Sequence, residues 1–221
     1  MIERGITMSL AIPIETSARH IHISQADFEI LFGEGKTPTF NAELSQPGQY
    51  VCHERITIKG PKGTFENVAL LGPCRPETQV EISMTDSRKL GVPGVIRQSG
   101  DTKDTPGCTL IGPEGTLDID HGVIVAKRHI HMTPVQAVQL NVRDNDEVFV
   151  ITESYERSLI FADVVVRVSP KFALAMHVDT DEANAFASDS TPSGTILKLF
   201  GGQTYNLQKW AEEIQMGIHR M

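Results

Sequence analysis

The sequence predicts a mainly β protein, a β-rich barrel architecture with short capping helices and an internal duplication. Three observations carry this. Strand-length apolar segments alternate with Gly/Pro turns along most of the 221 residues, while helical patterns are few and brief. A unit made of a strand, a pair of histidines and a capped helix occurs twice. Neither G-x-x-x-x-G-K-[ST] nor G-x-G-x-x-G is present, so no nucleotide-cradling loop argues for a doubly wound parallel sheet.

The duplicated unit is Ser17-Ala18-Arg19-His20-Ile21-His22-Ile23-Ser24, answered by Ala126-Lys127-Arg128-His129-Ile130-His131-Met132-Thr133. An apolar segment runs into each copy (Ile12 to Ile14, Val123 to Val125) and reads as a strand. On a strand, residues i and i+2 share a face, so the two histidines of a copy aim at one spot and the Ile between them turns away. Ser24 with Asp27, and Thr133 with Gln136, have capping-box spacing, and Pro134 suits a first helical position. Phe28, Leu31 and Phe32 mark the apolar face of the first helix; Val135, Val138 and Leu140 mark that of the second.

In chain order, residues 1–10 form a short lead. After the first helix, Gln46-Pro47-Gly48-Gln49 is a turn, Arg55 to Lys59 alternates as a strand and Gly60-Pro61-Lys62-Gly63 turns it into the strand Phe65 to Leu71. Thr78 to Ser83 is a strand interrupted by Glu81, and residues 86–108 are rich in turn formers. From Thr109, short strands resume around Gly112-Pro113-Glu114-Gly115. After the second helix, Val142 to Val150 is a turn entering a strand, Leu159 to Val168 is a long strand broken in pattern by Asp163, and Met176 to Asp181 returns. Glu182 to Ala185 reads as one helical turn, and Tyr205 to Met221 has helical composition.

Composition excludes several functions. Apolar residues make up 40% and charged residues 22%, with a formal charge of −8, which argues against nucleic acid as the partner. No apolar stretch approaches a membrane span, and no secretory leader is evident. Three cysteines, Cys52, Cys74 and Cys108, without C-x-x-C spacing, point to a reducing compartment, with the cytoplasm as the default.

Paired imidazoles on one strand face suit a borderline metal such as zinc, though cobalt, iron and manganese also accept them. The fainter part of the repeat offers third ligands. Strand Phe65–Leu71 leads past Pro73 to Glu81, and strand Leu159–Val168 leads past Pro170 to His177. The candidate sets are therefore His20, His22 and Glu81, and His129, His131 and His177. Three protein ligands leave a position open for water or substrate, the pattern of a catalytic zinc. Glu81 also reads as a strand residue paired with Arg55 or Arg75, and His177 as a capping histidine. Arg75, among Gly and Pro residues, offers a fork for phosphate or carboxylate, or an ion pair with Glu77. Arg97-Gln98-Ser99-Gly100-Asp101 supplies further donors to an anion site. His53, His121 and His219 have no support from the repeat.

With these residues assembled, the sequence resembles the PduL-type phosphotransacylases, the phosphate propanoyltransferases. The matching features are Ser-Ala-Arg-His-Ile-His at 17–22, Gly-Pro-x-Arg at 72–75, Thr-Gln-Val-Glu-Ile-Ser at 78–83, Arg-x-Ser-Gly at 97–100, Ala-Lys-Arg-His-Ile-His at 126–131 and His-x-Asp-Thr-Asp-Glu-Ala-Asn at 177–184. The resemblance implies reversible conversion of acyl-CoA (propanoyl-CoA or acetyl-CoA) and phosphate to acyl phosphate and CoA at two Zn2+ ions. His20, His22 and Glu81 would hold one ion, and His129, His131 and His177 the other. Arg75 would bind phosphate as the catalytic residue, helped by Ser99. It implies two small β-barrels that exchange some chain: 19–125, with a small inserted hairpin near 33–53, and 9–18 plus 126–200, followed by a helical tail at 201–221. A homodimer working on small molecules, without nucleic acid or membrane, is expected on family grounds. Members sent into bacterial microcompartments tend to carry a longer amphipathic N-terminal extension, so a cytoplasmic enzyme is expected, with the microcompartment lumen as the alternative. Two rival functions share the ligands: a dinuclear zinc hydrolase of thioesters or phosphoesters, and a metal-stabilised binding module.

Overall fold

The structure is a computed structural model, and it describes residues 10–152, 157–186, 192–199 and 203–204. The chain forms two compact units. One comprises the described residues through Glu15, Arg128–Val178 and those from Glu182 onward; the other comprises Thr16–Lys127 with Asp179–Asp181. Among the described residues, no helix is long and apolar enough to cross a membrane.

The first copy of the repeat supplies β1 (Ile12–Ser17), β2 (His20–His22) and α1 (Gln25–Phe32). Ser24 caps α1 by accepting from the Asp27 amide, and Phe28, Leu31 and Phe32 are buried as their spacing predicts. The expected capping box is only half made. The Asp27 carboxylate accepts from Thr78, and the Ser24 amide donates to the Thr78 hydroxyl, tying the cap to the residue that precedes the Gln79–Glu81 strand. β3 (Phe40–Glu43) and β4 (Tyr50–Lys59) form a hairpin closed by Gln46–Gln49. β5 (Thr64–Gly72) follows through the Gly60–Gly63 turn, and β6 (Gln79–Glu81) after that.

The turn-rich stretch from residue 86 opens instead inside a helix, α2 (Met84–Leu90). Its capping box pairs Ser83 with Asp86, and Gly91 closes it in the left-handed conformation. β7 (Ile96–Arg97), β8 (Cys108–Ile111), β9 (Thr116–Ile119) and β10 (Val123–Ala126) lead to the second copy, β11 (His129–Met132) and α3 (Pro134–Leu140). Thr133 and Gln136 make the full capping box here. The α3 face differs from expectation: Ala137 and Leu140 are buried, while Val135 and Val138 are exposed. Ala137 and Leu140 lie one turn apart and face the core together with Val142, which leaves the two valines on the outer side. β12 (Glu147–Thr152), β13 (Leu159–Val168), β14 (Ala175–Asp179), α4 (Thr180–Ala185), β15 (Ser193–Ile196), β16 (Lys198–Leu199) and β17 (Gln203–Thr204) complete the described chain. The break in pattern at Asp163 coincides with a positive φ of 53°. Gln203–Thr204, within the span expected to be a helical tail, pairs with Lys198–Leu199 as a strand, and residues 205–221 lie outside the described residues.

The fold class is the expected one. One unit holds a closed six-stranded barrel in the order β1-β14-β11-β13-β12-β15. The other holds a nine-stranded sheet in the order β7-β10-β6-β2-β5-β4-β8-β9, with β3 added beside β4, curled as a half-barrel over its core. In both, the His-pair strand runs parallel to the strand of the long hairpin and antiparallel to the strand carrying the third candidate ligand: β5-β2-β6 in one, β13-β11-β14 in the other. The lead strands are exchanged. β1 precedes the first motif but lies beside β14, and β10 precedes the second motif but pairs with β6. Ile21 and Ile130, between the histidines, are fully buried in the two separate cores, so the strand period that puts the His pair on one face of its strand puts these residues on the other, core-facing side. Burying each such side chain stabilises by roughly 1.5–3 kcal/mol, which pins the register that aligns the histidines.

Candidate active site

The strand register builds the first cluster. In the antiparallel β2–β6 pair, His20 lies directly opposite Glu81, and His22 opposite Gln79. The β11–β14 pair repeats this, with His129 opposite His177. Glu81 and His177 thus occupy equivalent places in their units, the correspondence the fainter sequence repeat suggests.

His20 Nε2 and His22 Nε2 stand 3.2 Å apart, and the two Glu81 oxygens approach these nitrogens at 3.6 and 3.7 Å. Donor atoms around a tetrahedral zinc with bonds of ~2.0–2.1 Å stand roughly 3.3–3.4 Å apart, so this triangle fits such an ion. All three side chains are buried. His20 Nδ1 lies 2.9 Å from the Ala18 carbonyl, which leaves Nε2 as the inward-facing nitrogen, and His22 has the Leu71 carbonyl as a backbone partner. Such outer hydrogen bonds orient ligating imidazoles. Burial alone would raise the Glu81 carboxyl, but the charge and hydrogen bond of His20, then His22 and Ser99, hold it far below the usual carboxylate range. Burial works against the charged form of His20, yet Glu81 raises it above its ordinary value. Burial, then the charges of His20 and Arg75, push His22 well below its own.

Around this triangle runs a part-buried hydrogen-bond network. Arg75 Nη1 donates to Ser99 Oγ at 3.1 Å, and Ser99 Oγ donates to Glu81 Oε1 at 2.7 Å. Gln79 Nε2 donates to Glu81 Oε1 at 2.6 Å and to Ser99 Oγ at 3.0 Å, while its Oε1 accepts from the Gly100 amide at 2.7 Å. Arg75 is anchored by its amide, which donates to the Ile23 carbonyl within the first motif. The sequence-predicted anion residues Arg75 and Ser99 therefore lie against the first candidate centre. The competing partners expected for these groups are engaged elsewhere. The Arg55 guanidinium donates to the Cys52 and Glu54 carbonyls, and Glu77 accepts from Thr102 and pairs with His121.

The sequence does not single out Gln79. The signal was present, because residue 79 shares a strand face with residue 81, but no repeat partner marked it.

The second cluster consists of imidazoles. The ligand atoms of His129, His131 and His177 lie within 4.8 Å of one another, as do those of the first cluster. The rings approach with centroids 4.6 Å (His129–His131), 4.9 Å (His131–His177) and 5.2 Å (His129–His177) apart. Phe172 packs on His131 at 4.1 Å, and Glu15 Oε2 lies 3.7 Å from His177 Nδ1. Three neutral imidazoles are a donor set that zinc takes readily, with one position left over. Among the described residues these two clusters are the groupings suited to a metal.

Comparison with known proteins gives one family. The model for phosphate propanoyltransferase matches residues 13–189. A phosphate propanoyltransferase of Thermotoga maritima is 57% identical over 172 residues, covering 78% of this chain and 82% of the relative. That of Enterococcus faecalis is 52% identical over 185 residues (84% and 87%), and that of Clostridioides difficile 50% over 188 (85% and 88%).

Proposed function

This chain belongs to the phosphate propanoyltransferase family, and from that premise we propose a zinc-dependent phosphotransacylase that converts propanoyl-CoA or acetyl-CoA and phosphate, reversibly, to acyl phosphate and CoA. The observation that carries the proposal is the contact between the anion-binding residues and the first candidate centre: Arg75, Ser99 and Glu81 form one hydrogen-bonded chain. His20, His22 and Glu81 would hold one zinc, and His129, His131 and His177 a second. Bound there, zinc supplies Lewis acidity suited to a thioester carbonyl and to a departing thiolate.

The protein's own groups do the positioning. The Arg75 fork binds phosphate at two points, with Ser99 setting the guanidinium's direction. A phosphate oxygen attacks the thioester carbonyl carbon, the C–S bond breaks, and CoA leaves as the thiolate. Holding the two reactants together supplies much of the rate gain. No protein nucleophile is needed, and none of the thiols is suited to the part: burial pushes Cys52 and Cys108 up to about 12 and raises Cys74. On family grounds we infer a homodimer acting in the cytoplasm or, alternatively, in a microcompartment lumen; co-sedimentation with shell proteins distinguishes the two.

The test is CoA release from acetyl-CoA and propanoyl-CoA, with and without phosphate, for wild type and Arg75→Ala. Phosphate-dependent release that collapses in the variant supports the transferase. Release indifferent to phosphate indicates a thioester hydrolase, and a burst of CoA without phosphate that leaves acylated protein refutes direct attack.

A further inference from the structure

We propose that Arg19 and Arg128 are positioning residues for the two candidate metal centres, each fastening the strand that carries two ligands to the segment that carries the third. The inference rests on the zinc reading above and extends it to side chains that touch no metal. Each arginine immediately precedes the first histidine of its motif. Arg19 forks onto Asp86, with Nε to Oδ2 at 3.0 Å and Nη2 to Oδ1 at 2.8 Å. Arg128 Nη1 donates to Glu182 Oε1 at 2.8 Å, and its Nε donates to the Ala162 carbonyl.

The two acids are placed alike: Asp86 lies five residues after Glu81 and Glu182 five after His177, each on the helix that follows the third-ligand strand. The other face of each guanidinium is also treated alike. Arg19 lies over the Phe65 ring at 4.4 Å and Arg128 over the Phe161 ring at 5.6 Å. Phe65 lies four residues before Ala69, the register partner of His20, and Phe161 four before Val165, the register partner of His129. Acid, arginine and ring thus recur at identical offsets from the ligands in both units.

Stability alone is a weak reason for such recurrence. The Arg19 side chain is 40% exposed, and pairs of that kind typically contribute little. Placement is the stronger reason. Asp86 also belongs to the capping box of α2, whose N-cap Ser83 lies two residues from Glu81, so the fork sets where β6 ends relative to His20. A site of this type needs its ligands held within roughly 0.5 Å.

The test follows zinc release from loaded full-length protein into a chromophoric chelator, in wild type and in Arg19→Gln, Arg128→Gln and Asp86→Asn. The expected result is two released zincs, with Arg19→Gln accelerating one by about 10- to 100-fold and Arg128→Gln accelerating the other. Asp86→Asn should reproduce Arg19→Gln, and the double variant should add nothing to either. Wild-type release rates in all variants overturn the proposal, as does acceleration of both zincs by each variant together with a lowered unfolding midpoint of the metal-free protein. Wild type that binds no zinc overturns the functional reading itself, and this proposal with it.

Discussion

At Gln79 a single buried amide serves three partners, the Glu81 carboxylate, the Ser99 hydroxyl and the Gly100 amide. Gln79→Leu keeps the volume but leaves these groups short of a partner, a loss of roughly 1–3 kcal/mol. We expect the KM for phosphate to rise more than the KM for acyl-CoA, because the Ser99–Gly100 loop faces Arg75; equal rises in both would refute that assignment. For Arg75→Lys we expect about a 10- to 100-fold loss in kcat/KM for phosphate, the equivalent of one charge-assisted hydrogen bond, since an ammonium cannot reproduce the fork. Near wild-type kinetics would remove Arg75 from the phosphate site. Legibility at this scale followed the repeat. Glu81, unremarkable alone, was visible because His177 stood in the matching place, and its register opposite His20 supplies the physical reason. The roles of Gln79 and Asp86 are not legible in the sequence, because they depend on cross-strand and strand–helix contacts that one chain segment does not display.

Among the elements, the β4–β5 hairpin turn carries a tight constraint. A Cβ on Gly60 would meet the Leu90 carbonyl oxygen, the last residue of α2, at 2.4 Å. The Lys62 amide also donates to that carbonyl, so turn and helix end are joined and neither can withdraw cheaply. Gly60→Ala should therefore destabilise by about 1–3 kcal/mol through overpacking, read as a lowered urea midpoint. By contrast, a Cβ on Gly35 or Gly48 meets nothing within 4 Å, and only their positive φ opposes substitution. A Gly60→Ala protein as stable as wild type would show that α2 yields freely. Period-2 alternation made most strands readable, including the Ile21 and Ile130 positions that face the cores. Helix faces were read less well. α3 is only seven residues long, so Val135 and Val138 fit an apolar stripe as plausibly as Ala137 does, and only packing selected the buried side. α2 does not stand out in the sequence although Ser83, Asp86 and Gly91 mark both its ends, because Gly and Pro dominate the residues that follow.

For the whole molecule, the closed barrel and the curled sheet each bury their own core, and each carries one candidate centre whose three ligands come from two adjacent strands. A metal bound by the folded chain adds stability in proportion to RT ln(1 + [L]/Kd), about 2.7 kcal/mol at a hundredfold excess over Kd. This addition depends on pH with a definite sign. In the zinc-free chain, His20 is raised by Glu81, so the stability of that ion pair is present below the ordinary histidine value and is lost as pH rises through the raised one. Zinc requires the neutral imidazole, so it gains where the ion pair fades. His22 lies well below its ordinary value and adds no competing proton near neutrality. The gap in unfolding midpoint between zinc-loaded and chelator-treated protein should therefore widen from pH 5.5 to pH 8. A gap that stays constant would mean that His20 does not exchange a proton for metal, and no gap at any pH would mean that zinc is not bound by the folded chain.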